Sequence, residues 1–496
     1  MMKFMDKFLN SITMYRLMLY GLFIEAGYSI ILAAFGKVHF SVVSMVLALV
    51  ILLFGSFAGN VFFAKITRAA MNAESMFITA LLLFFVFDPT VLTVQNALML
   101  ACVALVAQAS KYLFAIGGKH LFNPIAITAF LFDLFQIPLV IWWVATPWLL
   151  PVALVFGLMV VRKIRRFEEV GAFTVAAIVT GLLQGISVSS LFLSWPLVFF
   201  GTMMLTEPRT APAMKRDQII FGSGVGVLFM VMFAMGPLVM SPELALLIGN
   251  IFAYIVSSRQ VLRLTFKSMT CETEQVCNFV FTPDKKLAFH PGQYLEWTLP
   301  LHKTDSRGNR RFFTIASAPS DDEVHLGVRV DRAHSSTFKQ QLLEMKPGDQ
   351  LVASNLAGDF VLPKDPARKM VWIAGGIGIT PFRSMIRELA ATHQKRDVVL
   401  FCCINTENDC AYKAEFDQIC NQIGARLSCV VAKPSPAWQG KSGFITKELI
   451  EAEVPDFLSR TFYFSGPPMM VENYVKLVKS MGVPSKQIRV DYFPGF

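Results

Sequence analysis

The sequence predicts two structural classes in one chain. An all-α membrane domain of about ten transmembrane helices covers residues 1–260. A β-barrel of antiparallel strands (264–364) and an α/β nucleotide-binding domain (365–496) follow it. Three observations predict this. Hydrophobic residues are 54% of the 496, with 45 Phe, mean hydropathy of +0.53 and only 16% charged residues; this excludes a disordered chain, a disulfide scaffold and a purely soluble protein. The composition changes near Ser257, where long apolar runs give way to alternating ones. The net charge of +10 sits beside apolar runs, as at membrane flanks, so the expected partner is a lipid bilayer and not a nucleic acid.

The apolar runs fall at 17–35, 40–58, 76–88, 91–108, 123–137, 139–161, 171–187, 191–205, 217–235 and 238–258. Several are shorter than the ~20 residues that cross ~30 Å of hydrocarbon, so some ends must extend into polar flanks or belong to broken helices. Lys3 and Lys7 precede the first run without a small-residue cleavage site, which reads as a first membrane helix and not a removable signal. With the N-terminus inside, the inside loops hold Lys65 and Arg68, Lys111 and Lys119, Arg162 to Arg166, Arg209 to Arg216, and Arg259 and Arg263, against Lys37 alone outside. That bias follows the positive-inside rule. Both termini are then expected in the cytoplasm of a bacterial-type inner or plasma membrane.

Beyond 264, alternating runs at 276–281, 294–299 and 324–330 read as half-buried strands separated by Pro-Gly and Asp-rich turns. A buried strand at 370–374, a glycine turn, a helix over 381–393 and a second strand over 398–404 then suggest a doubly wound domain. The eight cysteines show neither CxxC nor ferredoxin spacing and read as free thiols of a reducing compartment. No metal site is expected.

The strongest local signal is Gly375-Gly376-Ile377-Gly378-Ile379-Thr380-Pro381. Glycines let the backbone approach a pyrophosphate, and the helix N-terminus behind them favours its charge. Taken alone, the turn also reads as a tight strand-to-helix connection. Around it stand His290-Pro291-Gly292-Gln293-Tyr294, the stretch from Arg311 to Ser317, Ser335-Ser336-Thr337-Phe338, Ser465-Gly466-Pro467-Pro468-Met469, and the end Asp491-Tyr492-Phe493-Pro494-Gly495-Phe496.

In this order and spacing the set resembles the ferredoxin–NADP reductase superfamily over roughly residues 265–496. The resemblance implies FAD and NAD(P)H as cofactors. Arg311 would bind a flavin phosphate, Phe313 would pack on the isoalloxazine beside Phe312, and Thr314 would hydrogen-bond near N5. Ser336, between Ser335 and Thr337, would open a phosphate-binding helix. Gly375, Gly376, Gly378, Thr380 and Pro381 would cradle the dinucleotide pyrophosphate, while Gly466, Pro467 and Met469 would shape the nicotinamide pocket. Thr314, Ser465 and Phe496 form the expected catalytic set, with Phe496 covering the flavin until nicotinamide displaces it. Two departures stand out: Ser465 replaces the cysteine of many members, and Phe313 replaces a tyrosine. Glu407, in Asn405-Thr406-Glu407 after the second strand, would repel a 2′-phosphate, which favours NADH over NADPH.

Two polar stretches interrupt the membrane half, Gly117 to Pro124 and Leu205 to Pro212. They read either as helix-capping loops or, with the helix count, as the paired signatures of two related membrane proteins: the B subunit of the sodium-pumping NADH:quinone reductase and the D subunit of the Rnf complex. That resemblance covers roughly 15–260 and implies flavin in the membrane. The family's Ser-Gly-Ala-Thr attachment stretch is absent, so a membrane flavin would be noncovalent. The expected function is transfer of electrons from cytoplasmic NAD(P)H through flavin into or across the membrane, to a quinone, another acceptor or further electron-transfer proteins. A haem relay fails, because His39 and His120 are the membrane half's only histidines and fall at opposite faces. Redox-driven Na⁺ or H⁺ transport is the alternative, with Glu25 and Asp133 inside expected spans. A flavin reductase on a non-redox membrane domain is another.

Overall fold

The computed structural model describes residues 8–9, 12–67, 73–116, 119–236, 238–257, 261–300, 305, 309–331 and 335–492. The chain divides into two compact units, Met1–Arg259 and Gln260–Phe496.

The first unit is helical: α1 (Met14–Ala34), α2 (Val42–Thr67), α3 (Ala73–Val86), α4 (Val94–Leu113), α5 (Pro124–Leu134), α6 (Leu150–Ile164), α7 (Phe167–Leu183), α8 (Val188–Leu193), α9 (Leu197–Phe199, continued by a π-turn over Phe200–Met204), α10 (Lys215–Met230) and α11 (Pro242–Val256). Among the described residues, α1, α2 and α4 are long and apolar enough to cross a membrane. Of the about ten transmembrane helices expected, several of them shorter than the ~20 residues of a full span, three have full length among the described residues, and the count of ten is corrected to that extent. The other long helices run from 11 residues in α5 to 17 in α7, and at 1.5 Å per residue α5 covers only about 16 Å.

The shortening has local causes. The expected span 139–161 begins as non-helical chain: Ile141 and Trp142 N–H both donate to Val86 O at 3.0 Å, and Trp143 Nε1 donates to Phe84 O at 2.6 Å. This segment satisfies carbonyls left open at the end of α3. Helix α10 stops at Met230, five residues before the expected end. Asn123 and Ser241 cap α5 and α11, with Pro124 and Pro242 in their first turns, the position where a missing N–H costs nothing. Helices α7 and α10 pack backbone to backbone, because a Cβ on Gly222 or Gly226 would collide with the carbonyls of Glu169 or Phe173.

The second unit opens with six strands: β1 (Leu262–Cys271), β2 (Val276–Pro283), β3 (Tyr294–Thr298), β4 (Arg310–Thr314), β5 (Val324–Arg329) and, after α12 (Thr337–Glu344), β6 (Gln350–Ala357). They pair antiparallel in the order β4-β3-β6-β1-β2-β5 around a core that includes Phe279, Phe281, Trp297 and Phe338. The β1–β2 register sets Cys271 opposite Cys277, and the two form a disulfide. That corrects the reading of all eight cysteines as free: a six-residue separation signals nothing until a hairpin folds it back. Cys102, Cys402, Cys403, Cys410, Cys420 and Cys429 are free.

An all-parallel sheet follows, built from β7 (Met370–Gly375), β8 (Val398–Ile404), β9 (Arg426–Val431), β10 (Lys441–Ser442), β11 (Thr461–Gly466) and β12 (Ile488–Tyr492) in the order β10-β9-β8-β7-β11-β12. Strands β7 and β11 are buried throughout, as expected of a sheet covered on both faces. The covering helices include α13 (Thr380–Ala391), α14 (Lys413–Ile423), α15 (Lys447–Glu453) and α16 (Pro468–Ser480).

Candidate functional site

Two clusters gather most of the residues singled out by sequence in the second unit. The first joins β4 to the start of α12. Arg311 lies over the Phe338 ring at 5.3 Å and its Nη2 stands 3.7 Å from Asp305 Oδ1. Asp305 in turn accepts from Thr337 N–H at 3.1 Å, and its own N–H donates to Thr337 Oγ1 at 3.2 Å. Ser336 caps the helix, accepting from Lys339 N–H, while Ser335 Oγ accepts from Asp331 N–H. A guanidinium and a helix N-terminus thus meet at one place, a donor set suited to a phosphate.

On the same strand Phe313 is half-buried, 5.8 Å from Phe338, whereas Phe312 is 56% exposed and meets Tyr294 edge-on. Phe312 is therefore the more open aromatic face. Thr314 is buried opposite Tyr294. The positive cluster and the open aromatics together fit a flavin dinucleotide.

The second cluster is the glycine turn between β7 and α13. Gly376 has φ of +52° and nothing within 4 Å of where a Cβ would stand, so its backbone faces open space. Gly378 packs so closely on β11 that a Cβ would collide with the Ser465 carbonyl. Thr380 Oγ1 donates to Ile377 O at 3.1 Å, and Pro381 lies in the first turn of α13. Ser465 is fully buried and its Oγ has no hydrogen-bond partner among the described residues. An orphaned hydroxyl beside an open glycine turn fits a nicotinamide dinucleotide. Gly466 and Pro467 continue from it into α16.

Met469, the methionine singled out by sequence, is 57% exposed. The one against the turn is Met470, whose side chain closes on Gly375 and Gly466. Phe496 lies outside the described residues. Glu407 is half-buried, accepts from Ser435 N–H, and is held by that bond below the usual carboxylate range.

Sequence reasoning missed the residues that fasten α13 to the barrel strands. Arg383, 5% exposed, donates through Nε to Glu415 at 2.6 Å and through Nη1 to Ala316 O at 3.3 Å, to Asn278 Oδ1 and to His325 Nδ1. Ser384 Oγ donates to Ser317 O, and Arg387 pairs with Asp321 and Glu415. The one signal in the sequence was an arginine four residues after Ile379 and three before Ile386, in phase with both.

In the first unit the two polar stretches, far apart in sequence, converge. His120 Nε2 lies 3.0 Å from Glu207 Oε1, while Asn123 Nδ2 and Thr210 Oγ1 donate to Glu207 Oε2 at 2.9 and 3.2 Å. Asn250 accepts from Asn123 N–H and donates to Thr210 O. Glu25 is fully buried with neither carboxylate oxygen hydrogen-bonded among the described residues. Asp133 lies on α5, and Glu243 on α11 accepts from Trp142 Nε1 at 3.1 Å.

Residues 372–476 match the family model of the oxidoreductase NAD-binding domain. The chain is 34% identical over 200 residues to the F subunit of the Na(+)-translocating NADH-quinone reductase of Yersinia pestis (strain Pestoides F), covering 37% of this chain and 49% of that protein. It is 29% identical over 218 residues to the glycine betaine monooxygenase reductase subunit of Chromohalobacter salexigens, covering 42% and 58%. The second unit carries an NAD-binding domain of the oxidoreductase kind. It is an oxidoreductase domain whose cofactors are FAD and NAD(H). Among solved structures, the Amycolatopsis cytochrome P450 reductase GcoB aligns with a TM-score of 0.42 and 28% identity, over 47% of this chain and 70% of that one. The chain spans about half the length of the curated relatives it matches.

Proposed function

We propose that the chain is a membrane-bound NAD(P)H-dependent flavin oxidoreductase that passes electrons from cytoplasmic NADH into or across the membrane, to a quinone or another acceptor. The observation that carries this is the pairing, in one polypeptide, of an FAD/NAD-binding domain with a helical unit whose two polar stretches meet at Glu207. In this reading, residues 1–260 form a polytopic domain like the D subunit of Rnf or the B subunit of the sodium-pumping reductase. Its shorter apolar helices complete about ten crossings by extending into polar flanks. Residues 264–364 hold FAD and 365–496 hold the dinucleotide. Both termini face the cytoplasm.

Arg311 and the start of α12 at Ser335, Ser336 and Thr337 hold the FAD phosphates, and Phe312 and Phe313 flank its ring. Thr314 hydrogen-bonds beside the reacting edge. Gly375, Gly376, Gly378, Thr380 and Pro381 receive the pyrophosphate, and the Ser465 hydroxyl orients the nicotinamide between Gly466, Pro467 and the methionine pair. Phe496 shields the flavin face. FAD, when bound, supplies conversion of a two-electron donor into one-electron deliveries. Glu207, with His120 and Asn123, forms the polar wall of a noncovalent flavin or quinone site in the membrane unit. The likeness to one component of an NADH-quinone reductase supports the donor and acceptor classes and suggests further electron-transfer subunits as partners.

Steady-state reduction of a water-soluble dye by the purified full chain tests the donor side. NADH is expected to give a kcat/KM at least tenfold above NADPH, equivalent to about 1.4 kcal/mol against the 2′-phosphate. Equal values would remove Glu407 from the recognition. Absence of any pyridine-nucleotide-dependent flavin reduction would remove the proposal.

A second reading, coupled Na⁺ or H⁺ transport, is favoured by one observation: Glu25 is buried without a hydrogen-bond partner among the described residues, on a helix long enough to span.

A further inference from the structure

Three thiols meet in the nucleotide-binding half, apart from every residue given a role above. Cys402 on β8 and Cys429 on β9 are register partners on adjacent parallel strands. Cys410, in the connection from β8 to α14, contacts both: its Sγ lies 3.8 Å from that of Cys402 and 3.9 Å from that of Cys429. Cys402 is buried, whereas Cys410 and Cys429 are half-buried. Three small apolar groups in contact are ordinary core packing. What distinguishes this trio is that two of its members, Cys410 and Cys429, touch at 3.9 Å while both remain partly exposed; the S–H groups of Cys402 and Cys410, with help from Lys413, also hold the Cys429 thiol below its usual range. A partly exposed thiolate beside a second partly exposed thiol has the arrangement of an oxidisable pair.

We propose that Cys410 and Cys429 are a reversible oxidation site for a hydroperoxide, closing to a disulfide that weakens binding of the dinucleotide's adenosine end. The Cys429 thiolate attacks the hydroxyl oxygen of the hydroperoxide; the O–O bond breaks, the other oxygen leaves as hydroxide from hydrogen peroxide or as alkoxide from an organic hydroperoxide and takes up a proton, and Cys429 becomes a sulfenic acid. The Cys410 sulfur, giving up its proton, then attacks the Cys429 sulfur and displaces water. Two thiols are oxidised by two electrons, and one hydroperoxide is reduced to water and, for an organic hydroperoxide, its alcohol.

The link requires movement, and the fold determines where. Sulfurs at 3.9 Å must approach by about 2 Å to reach bonding distance. Cys429 is fixed inside a ladder shared with β8, so the connection carrying Cys410 has to give. That connection holds Thr406 and Asp409, which cap one another, and Glu407. Its first residues are zipped to the chain beyond β9, with Ala432 N–H on Ile404 O and Lys433 N–H on Asn405 O. Drawing in Cys410 therefore displaces the Asn405–Glu407 stretch, which the proposed function gives to the adenosine ribose. The effect on NADH rests on that reading; the disulfide itself does not.

The test treats the full chain in detergent with hydrogen peroxide, blocks remaining thiols, and maps the digest by mass spectrometry, with NADH affinity measured before and after. A dithiothreitol-reversible peptide joining Cys410 to Cys429 is expected, with a several-fold weaker Kd for NADH. Cys410→Ser and Cys429→Ser should each abolish the link and make NADH affinity insensitive to peroxide. Both thiols remaining alkylatable after peroxide, a Cys402–Cys410 link in its place, or a formed link with unchanged NADH affinity would each overturn the proposal. A chain that binds no NADH before peroxide counts against the proposed function instead, and the linked peptide still decides whether the pair oxidises.

Discussion

His325 shows how one side chain registers the fit between the barrel strands and the nucleotide-binding half. Its Nδ1 lies 3.2 Å from Arg383 Nη1, and a guanidinium can only donate, so the ring accepts there as neutral imidazole. Burial first, and then Arg383 and Arg387, push its pKa from 6.5 down to about 4, against smaller opposing pulls from Asp321 and Glu323. Between those values the unfolded chain binds a proton that the folded chain refuses. Acidification through that window therefore destabilises this domain, by at most about 1.4 kcal/mol per pH unit, and above it the histidine adds no pH dependence. Melting of the full chain, followed by release of flavin fluorescence, should fall more steeply from pH 6.5 to 4 in the wild type than in His325→Gln. Equal slopes would mean that the histidine is solvated. Such residues are the least legible in a sequence. Arg311 and Ser336 were singled out because each belongs to a short motif with a phosphate rationale. Asp305, Met470 and Arg383 act through partners distant in the chain, and only folding brings them together.

At the level of elements, the glycine turn and the helix it opens were readable because strand, turn and helix each carry a local signature, and all agree. The membrane helices were readable as apolar runs but not as lengths. Apolarity alone does not say that 139–149 leaves the helix to satisfy the carbonyls of α3, or that α10 ends at Met230. The turn also separates binding from stability. A Cβ at Gly376 meets open space, so Gly376→Ala costs only the left-handed backbone strain of about 1–2 kcal/mol, yet it occupies space that the proposed function gives to the pyrophosphate. A Cβ at Gly378 collides with Ser465 O, which would wedge β11 from the turn at about 1–3 kcal/mol or more. Gly376→Ala is therefore expected to raise the KM for NADH with little change in melting temperature, and Gly378→Ala to lower the melting temperature itself. The reverse pattern would place the dinucleotide elsewhere.

For the whole molecule, the question is whether the helical unit conducts electrons or merely holds the reductase at a membrane. An anchor needs one helix, and a bare anchor has no use for a half-buried carboxylate held by three side chains. Glu207 is held by His120, Asn123 and Thr210, with Asn250 bracing two of the three partners. Glu207→Gln keeps the shape and leaves one oxygen that can accept from both Asn123 and Thr210, but it removes the negative charge and turns an NH₂ toward His120. In proteoliposomes with NADH outside and ferricyanide trapped inside, the wild type should reduce the trapped acceptor. Glu207→Gln should slow that by about tenfold or more, the equivalent of about 1.4 kcal/mol, while NADH-dependent reduction of an external dye stays unchanged. The comparison isolates the helical unit, since both variants carry the same FAD/NAD domain. Equal loss of both activities would mean that the substitution unfolds the chain. Trapped ferricyanide left untouched by the wild type, with the external dye still reduced, would make the helical unit a non-redox support.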